Sequence, residues 1–96
     1  MIELVNQQWV VSGQIDFGNA ETYYQQGLAL LKNTSQFPVI VDLSQLQQGS
    51  TLALATFVQL LRQTPEAKGL HFKSVPKKMV NIIQSCHLEH DLILID

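Results

Sequence analysis

The stretch PVIVDLSQLQQGSTLALATFVQLLRQ, residues 38–63, passes from one hydrophobic period to another and decides the fold class. Its first part, Val39-Ile40-Val41-Asp42-Leu43, is apolar on both faces of an extended chain, the pattern of a central strand covered on both sides. Pro38 stands at the first position, where a missing amide removes no interior ladder bond. Ser44 to Ser50 is polar and contains Gly49, which reads as a loop. From Thr51 to Gln63 the period is helical, with Leu54, Phe57, Val58 and Leu61 at i, i+3, i+4 and i+7 forming a buried stripe. A buried strand feeding an amphipathic helix is the repeating unit of an α/β domain.

The flanks extend this unit in both directions. Upstream, Ile2–Val5 and Trp9–Ser12 are short β-type runs separated by Asn6-Gln7-Gln8, a length suited to a hairpin loop. The second run can continue to Ile15, with Gly13 marking a bulge or a close backbone approach. After Asp16-Phe17-Gly18, Asn19 stands as an N-cap, Glu21 favours the positive end of a helix dipole, and Ala20, Tyr24, Leu28 and Leu31 follow one helical face. Asn33-Thr34-Ser35 ends it. Downstream, Leu70 and Phe72 alternate with an outward-facing His71 and with Lys73 as a half-buried strand. Pro76 fits the first turn of a third helix whose stripe is Met79, Ile82, Ile83 and Cys86. Leu92 to Ile95 closes the order β-β-α-β-α-β-α-β. The fold class is therefore α/β, one domain over residues 1–96, with a mixed sheet and right-handed crossovers.

Composition narrows the function. The chain has 96 residues, 46% of them apolar and only 15% charged, with a net charge of −2. That is enough apolar material for one core, and disorder is not expected. Twelve glutamines against 14 charged residues make the surface polar without a strong field, so neither a nucleic-acid footprint nor a polybasic membrane patch is expected. The single cysteine, Cys86, excludes an internal disulfide and fits a reducing compartment. Met1 to Val5 leads directly into polar residues, unlike a secretory leader, and no apolar run approaches the roughly 20 residues a bilayer crossing needs.

Catalytic signatures are missing. The glycines at 13, 18, 27, 49 and 69 are too scattered for a phosphate loop of Walker or Rossmann spacing. The densest reactive cluster is Cys86-His87-Leu88-Glu89-His90-Asp91. With Cys86 on the apolar stripe of its helix, the adjacent His87 points elsewhere, and no metal site is expected. No nucleophile or carboxylate accompanies His71. No cofactor is expected, and a non-enzyme is the better reading.

Three segments are more informative: Gly13-Gln14-Ile15-Asp16 at the end of the second strand, Val41-Asp42-Leu43-Ser44 at the end of the third, and Gly49-Ser50-Thr51 at the start of the second helix. In this order, and with this order of elements, the whole chain resembles the STAS domain family of anti-sigma factor antagonists and transporter-associated regulatory domains. The resemblance places Asp16, Asp42 and Ser44 on family motif positions and Thr51 on the hydroxyl that some members have phosphorylated. Ser50 stands where the family usually has aspartate, and Leu52-Ala53 replaces a small Ser/Gly-Gly pair. Thr51 and Ser50 are thus candidate phosphorylation sites, with Asp16 and Asp42 as supporting acidic residues.

The first amides of a helix lack intrahelical acceptors and lie at the positive end of its dipole, so this corner suits capping, docking or switching. Opposite the apolar stripe, the second helix carries Thr51, Leu52, Ala55, Thr56, Gln59 and Gln63, uncharged except for Arg62 at its margin. Depletion of charge is the composition of an interface core. Ser50, Thr51, Leu52, Ala55, Thr56 and Gln59 are therefore the candidate partner-binding set.

Among STAS subfamilies, a short form that ends on its last strand and lacks the Asp-Ser-Ser-Gly signature is most similar to the accessory subunits of ABC phospholipid transporters. The resemblance implies a non-catalytic protein that binds the ATPase subunit within a permease complex. It would lie in the cytoplasm at the inner membrane, held there indirectly, and support outer-membrane lipid asymmetry. The alternative is an anti-sigma factor antagonist switched by phosphorylation at Ser50 or Thr51.

Overall fold

A computed structural model describes residues 1–95. Five strands, β1 (Ile2–Val5), β2 (Gln8–Gly13), β3 (Val39–Leu46), β4 (Leu70–Lys73) and β5 (Ile93–Ile95), alternate with three helices, α1 (Ala20–Lys32), α2 (Thr51–Arg62) and α3 (Lys77–Ser85). The expected element order is the observed one. The strands form one sheet in the order β1-β2-β3-β4-β5. β1 runs antiparallel to β2, and every later pair is parallel.

The strand order determines where the helices lie. From β2 to β5 each crossover steps to the next strand in the same direction, and right-handed crossovers of that kind place α1, α2 and α3 on one face. α2 lies between α1 and α3. The core fills the space beneath them: Trp9 and Val11 from β2, Val39, Val41 and Leu43 from β3, Leu70 and Phe72 from β4, and Phe57, Leu60, Met79 and Ile83 from the helices.

The expectation that β3 is covered on both sides is corrected here. β3 is the central strand, but its alternate residues Ile40 and Asp42 are only half-buried, because a strand order that never reverses leaves no crossover to cover their side. His71 lies in register with Ile40 and Ile93 on that same side and is likewise half-buried rather than fully outward.

Four local expectations also shift. The β1–β2 turn has two residues, Asn6 and Gln7, both with positive φ (50° and 68°), and Gln8 already pairs with Val5. Two successive positive-φ residues are the hairpin turn whose twist matches its strands. β3 does not stop at Leu43 but continues through Ser44 and Gln45 to buried Leu46. Between Val10 and Ser12 of β2, the paired residue on β3 advances from Asp42 to Gln45, so β3 carries one extra residue, a bulge. The amide of Ser44 donates to Asp42 Oδ1 at 2.8 Å at that point, which gives the bulge a side-chain cause.

Cys86 is the third. It is exposed and lies just past α3. The helix closes with the Leu88 amide donating to the Ile83 carbonyl (2.9 Å) and the His87 amide donating to the Gln84 carbonyl (3.1 Å). This is a Schellman closure, with His87 at φ 57° in the position glycine usually takes. The buried stripe of α3 therefore ends at Ile83. In α1 the predicted face is the right one, yet Tyr23 and Gly27 are its buried residues, while Ala20, Tyr24, Leu28 and Leu31 are half-buried at its edge.

Candidate functional site

The C-terminal ends of β2 and β3 deliver two loops to one end of the sheet, residues 14–19 before α1 and residues 47–50 before α2. They are tied together. The Gln47 amide donates to the Gly13 carbonyl at 2.8 Å, extending the β2–β3 ladder past the last strand residues, and Gln14 Nε2 donates to Gln48 Oε1 at 2.9 Å. Two glycines allow close approaches here. Gly13 has φ +86°, and a Cβ on it would meet the Tyr23 hydroxyl at 2.7 Å; that hydroxyl donates to the Ser12 carbonyl at 2.6 Å. Burial first, and then the Asp16 charge, raise the Tyr23 pKa above its ordinary value. Gly49 is buried, and a Cβ there would stand 3.0 Å from Pro76 Cβ and 3.1 Å from Met79 Cβ. The loop before α2 therefore rests on the start of α3.

α2 opens with Ser50 as its N-cap: the backbone is extended (φ −101°, ψ 168°) and the side chain accepts from the Ala53 amide at 3.1 Å. No acidic residue stands in the first turn, so the positive end of the helix dipole is answered only by one hydroxyl. Ser50→Ala should lower stability by about 1 kcal/mol, the usual contribution of an N-cap hydroxyl. Urea denaturation checks this, and a change below a few tenths of that would mean the cap is dispensable.

The structure sorts the predicted surface. Thr51, Ala55 and Gln59 are exposed, with Arg62 continuing the same line at i, i+4, i+8 and i+11, and Leu52 is half-buried beside them. Thr56, expected on this face, is corrected: it is 4% exposed and its hydroxyl donates to the Leu52 carbonyl at 2.9 Å. On a helix whose buried residues are Ala53, Leu54, Thr56, Phe57, Leu60 and Leu61, the apolar arc is wider than the four-residue stripe suggests. Leu60, fully buried, lies within it, and Val58 is half-buried at its edge. Because the Leu52 carbonyl also accepts from the helix backbone, Thr56→Val orphans no group. It should change stability by less than about 1 kcal/mol, as urea denaturation would show.

Both motif carboxylates are engaged by backbone amides within a few residues of themselves. Asp16 Oδ1 accepts from the amides of Gly18 (2.9 Å) and Asn19 (3.0 Å). In return, the Asp16 amide donates to Asn19 Oδ1 at 2.8 Å and Asn19 Nδ2 donates to the Gln14 carbonyl at 2.9 Å. Asn19 holds the N-cap position of α1 without a capping bond to the helix; its side chain closes the loop instead. Asp42 lies at the β3 bulge. The Ser44 amide holds its carboxyl below the usual range, with burial opposing and the Ser44 hydroxyl and Lys73 assisting. A lowered folded-state pKa stabilises the fold fully above the ordinary value of 3.8, and that contribution is lost as pH falls through the folded value. Asp42 is therefore ionised at neutral pH.

Among the described residues no group of three or more His, Cys, Asp or Glu could hold a metal ion, and none of the residues above pairs a nucleophile with a base. The arrangement is a tied pair of loops presenting the uncharged start of a helix, a surface suited to contact.

Known proteins give this surface its context. A family model described as "Mlab, STAS domain" matches residues 5–96. A chain of the Acinetobacter MlaFEDB complex in the ATP-bound Vtrans1 conformation is 60% identical, with 99% of this chain and 100% of that chain covered and a TM-score of 0.91. A chain of the same complex in the ATP-bound Vtrans2 conformation is 61% identical, covers 99% of each chain and has a TM-score of 0.92. A comparison with curated proteins gives no match. The three motif segments, the element order and the family match over residues 5–96 agree: the chain belongs to the MlaB-type STAS domain family.

Proposed function

We propose that this protein is the non-catalytic STAS subunit of an MlaFEDB-type ABC phospholipid transporter, docking on the ATPase subunit through the start of α2 and supporting its assembly or activity. The observation that carries this reading is the 60–61% identity over essentially the whole length to chains of MlaFEDB complexes.

The site supports the same reading in physical terms. Thr51, Ala55 and Gln59 offer a charge-free stripe on an element fixed by the core beneath it, so little conformational entropy is lost on docking. A subunit without chemistry of its own acts by binding one conformation or oligomer of the ATPase more tightly than another, and it shifts that equilibrium only by the difference. No helix of the described residues is long and apolar enough to cross a membrane. In this reading the protein lies at the cytosolic face of the inner membrane, held there by its partners.

The test is reconstitution. Transporter purified without this subunit is compared with the same preparation after the protein is added back. The expected result is a stable complex containing this chain and a change in ATP turnover. A chain that elutes apart from the ATPase and leaves turnover unchanged would overturn the proposal.

A further inference from the structure

Phe17 is 94% exposed. The other large apolar side chains exposed among the described residues, Met1, Leu4, Val5 and Leu94, lie on or beside the edge strands β1 and β5. Phe17 stands alone in the loop between β2 and α1, at the end of the sheet where α2 begins. Single exposed apolar residues are common and need no explanation by themselves. Two features set this one apart.

The loop that carries it is built. Within residues 14–19, Asp16 Oδ1 accepts from the amides of Gly18 and Asn19, Asn19 Oδ1 accepts from the Asp16 amide, and Asn19 Nδ2 donates to the Gln14 carbonyl. Phe17 is held out by a network that ends one residue before it and resumes one residue after. The second feature is position. The Gln14 to Gln48 hydrogen bond and the Gln47 to Gly13 backbone bond fasten this loop to the one that leads into Ser50 and Thr51, so the loop that carries the ring and the loop that opens α2 are joined at the same end of the sheet.

Resting on the docking reading above, we propose that Phe17 is the apolar anchor of this face and seats in an apolar pocket of the ATPase subunit, beside the contact made by Thr51. A phenyl ring on a fixed loop buries a large area and loses only two side-chain rotations, which is the economy that makes aromatic residues binding hot spots. The uncharged stripe of α2 then excludes water around it, and the ring supplies most of the affinity.

The experiment measures the affinity of the full chain for the purified ATPase subunit by bio-layer interferometry, with wild type, Phe17→Ala, Phe17→Leu and Thr51→Glu in parallel. Phe17→Ala should melt with wild type, because the ring touches almost nothing in the free protein, and should bind roughly 30-fold or more weakly. Phe17→Leu should stay within about fivefold of wild type, since it keeps an apolar side chain of similar reach. If Phe17→Ala binds as wild type while Thr51→Glu does not, the anchor is wrong and the docking face stands. If both bind as wild type, the docking face itself is elsewhere and the anchor falls with it. A Phe17→Leu loss as deep as that of Phe17→Ala would also overturn the proposal, because an apolar pocket accepts leucine.

Discussion

Thr51→Glu should leave the domain folded and should weaken its association with the ATPase subunit by roughly a hundredfold or more. Both halves of this result follow from where Thr51 sits. It is the first residue of α2, exposed, with no acidic residue in its turn. A carboxylate there meets the positive end of the helix dipole, an interaction worth about 0.3–1 kcal/mol at an exposed position, so the isolated variant should be at least as stable as wild type. In the proposed complex the same carboxylate would enter the middle of a contact from which water is excluded. An unpaired charge left there costs several kcal/mol, enough to weaken binding by roughly a hundredfold or more. Thr51→Ala separates charge from shape: it removes the hydroxyl and methyl only and should weaken binding by less than tenfold, the ordinary effect of truncating a small side chain at an interface. Co-purification and a titrated affinity measure both. A folded Thr51→Glu variant that binds as tightly as wild type would place the docking surface on another element.

Much of the reasoning behind that variant was legible in the residues. The change of period between Leu43 and Thr51 marks a strand feeding a helix, and the order of elements follows from repeating that reading along the chain. What was not legible has a common cause in each case: a single residue breaks the period on which pattern reading depends. After Asp42 the burial along β3 runs Leu43 in, Ser44 out, Gln45 out, Leu46 in. Two successive outward residues are the mark of the bulge, and a reader expecting strict alternation ends the strand early. At the end of α3 the helix closes on His87 in the left-handed region without the glycine that normally announces such a closure, so Cys86 appears to continue the stripe.

The candidate site divides in the same manner. Ser50 as cap and Thr51, Ala55 and Gln59 as an uncharged face could be read from helical spacing. The burial of Thr56 could not, because a threonine can return its hydroxyl to the carbonyl four residues back and so enter a core that a polar residue is expected to avoid. Phe17 escaped notice for the opposite reason. A lone aromatic in a turn carries no period at all, and only the hydrogen bonds that fix its loop to the start of α2 give it meaning. Nor does spacing reveal that the sheet is covered on one face; that follows from the order of the strands, which a sequence of alternating elements leaves open.

Phe57→Ala should have the largest effect on stability of any single substitution considered, and it separates the frame of the site from its surface. Phe57 is 2% exposed on the inner side of α2, its ring centroid 5.8 Å from that of Phe72 on β4 with the planes tilted by 42°. Leu43, Leu54, Phe72, Met79 and Ile83 surround the same space, contributed by β3, α2, β4 and α3, so none can move in without disturbing another element. Truncation therefore leaves a cavity that the neighbours cannot close, and the expected cost is about 3–5 kcal/mol. A domain of this size typically has roughly 5–15 kcal/mol in all, and the melting temperature should fall by roughly 12 °C or more. Phe57→Leu, which keeps most of the volume, should cost far less. The functional consequence differs in kind from that of Thr51→Glu. Phe57→Ala loses docking because α2 is no longer held, and the loss should diminish as the temperature is lowered below the transition. Thr51→Glu should lose it with the helix in place, at every temperature at which the domain is folded. Affinity measured across temperature, beside the melting curve of each variant, tells the two apart. If Phe57→Ala melts with wild type, the packing of α2 on β4 described above is wrong. If it is destabilised as expected yet regains no affinity on cooling, the core beneath α2 does more than position the docking face.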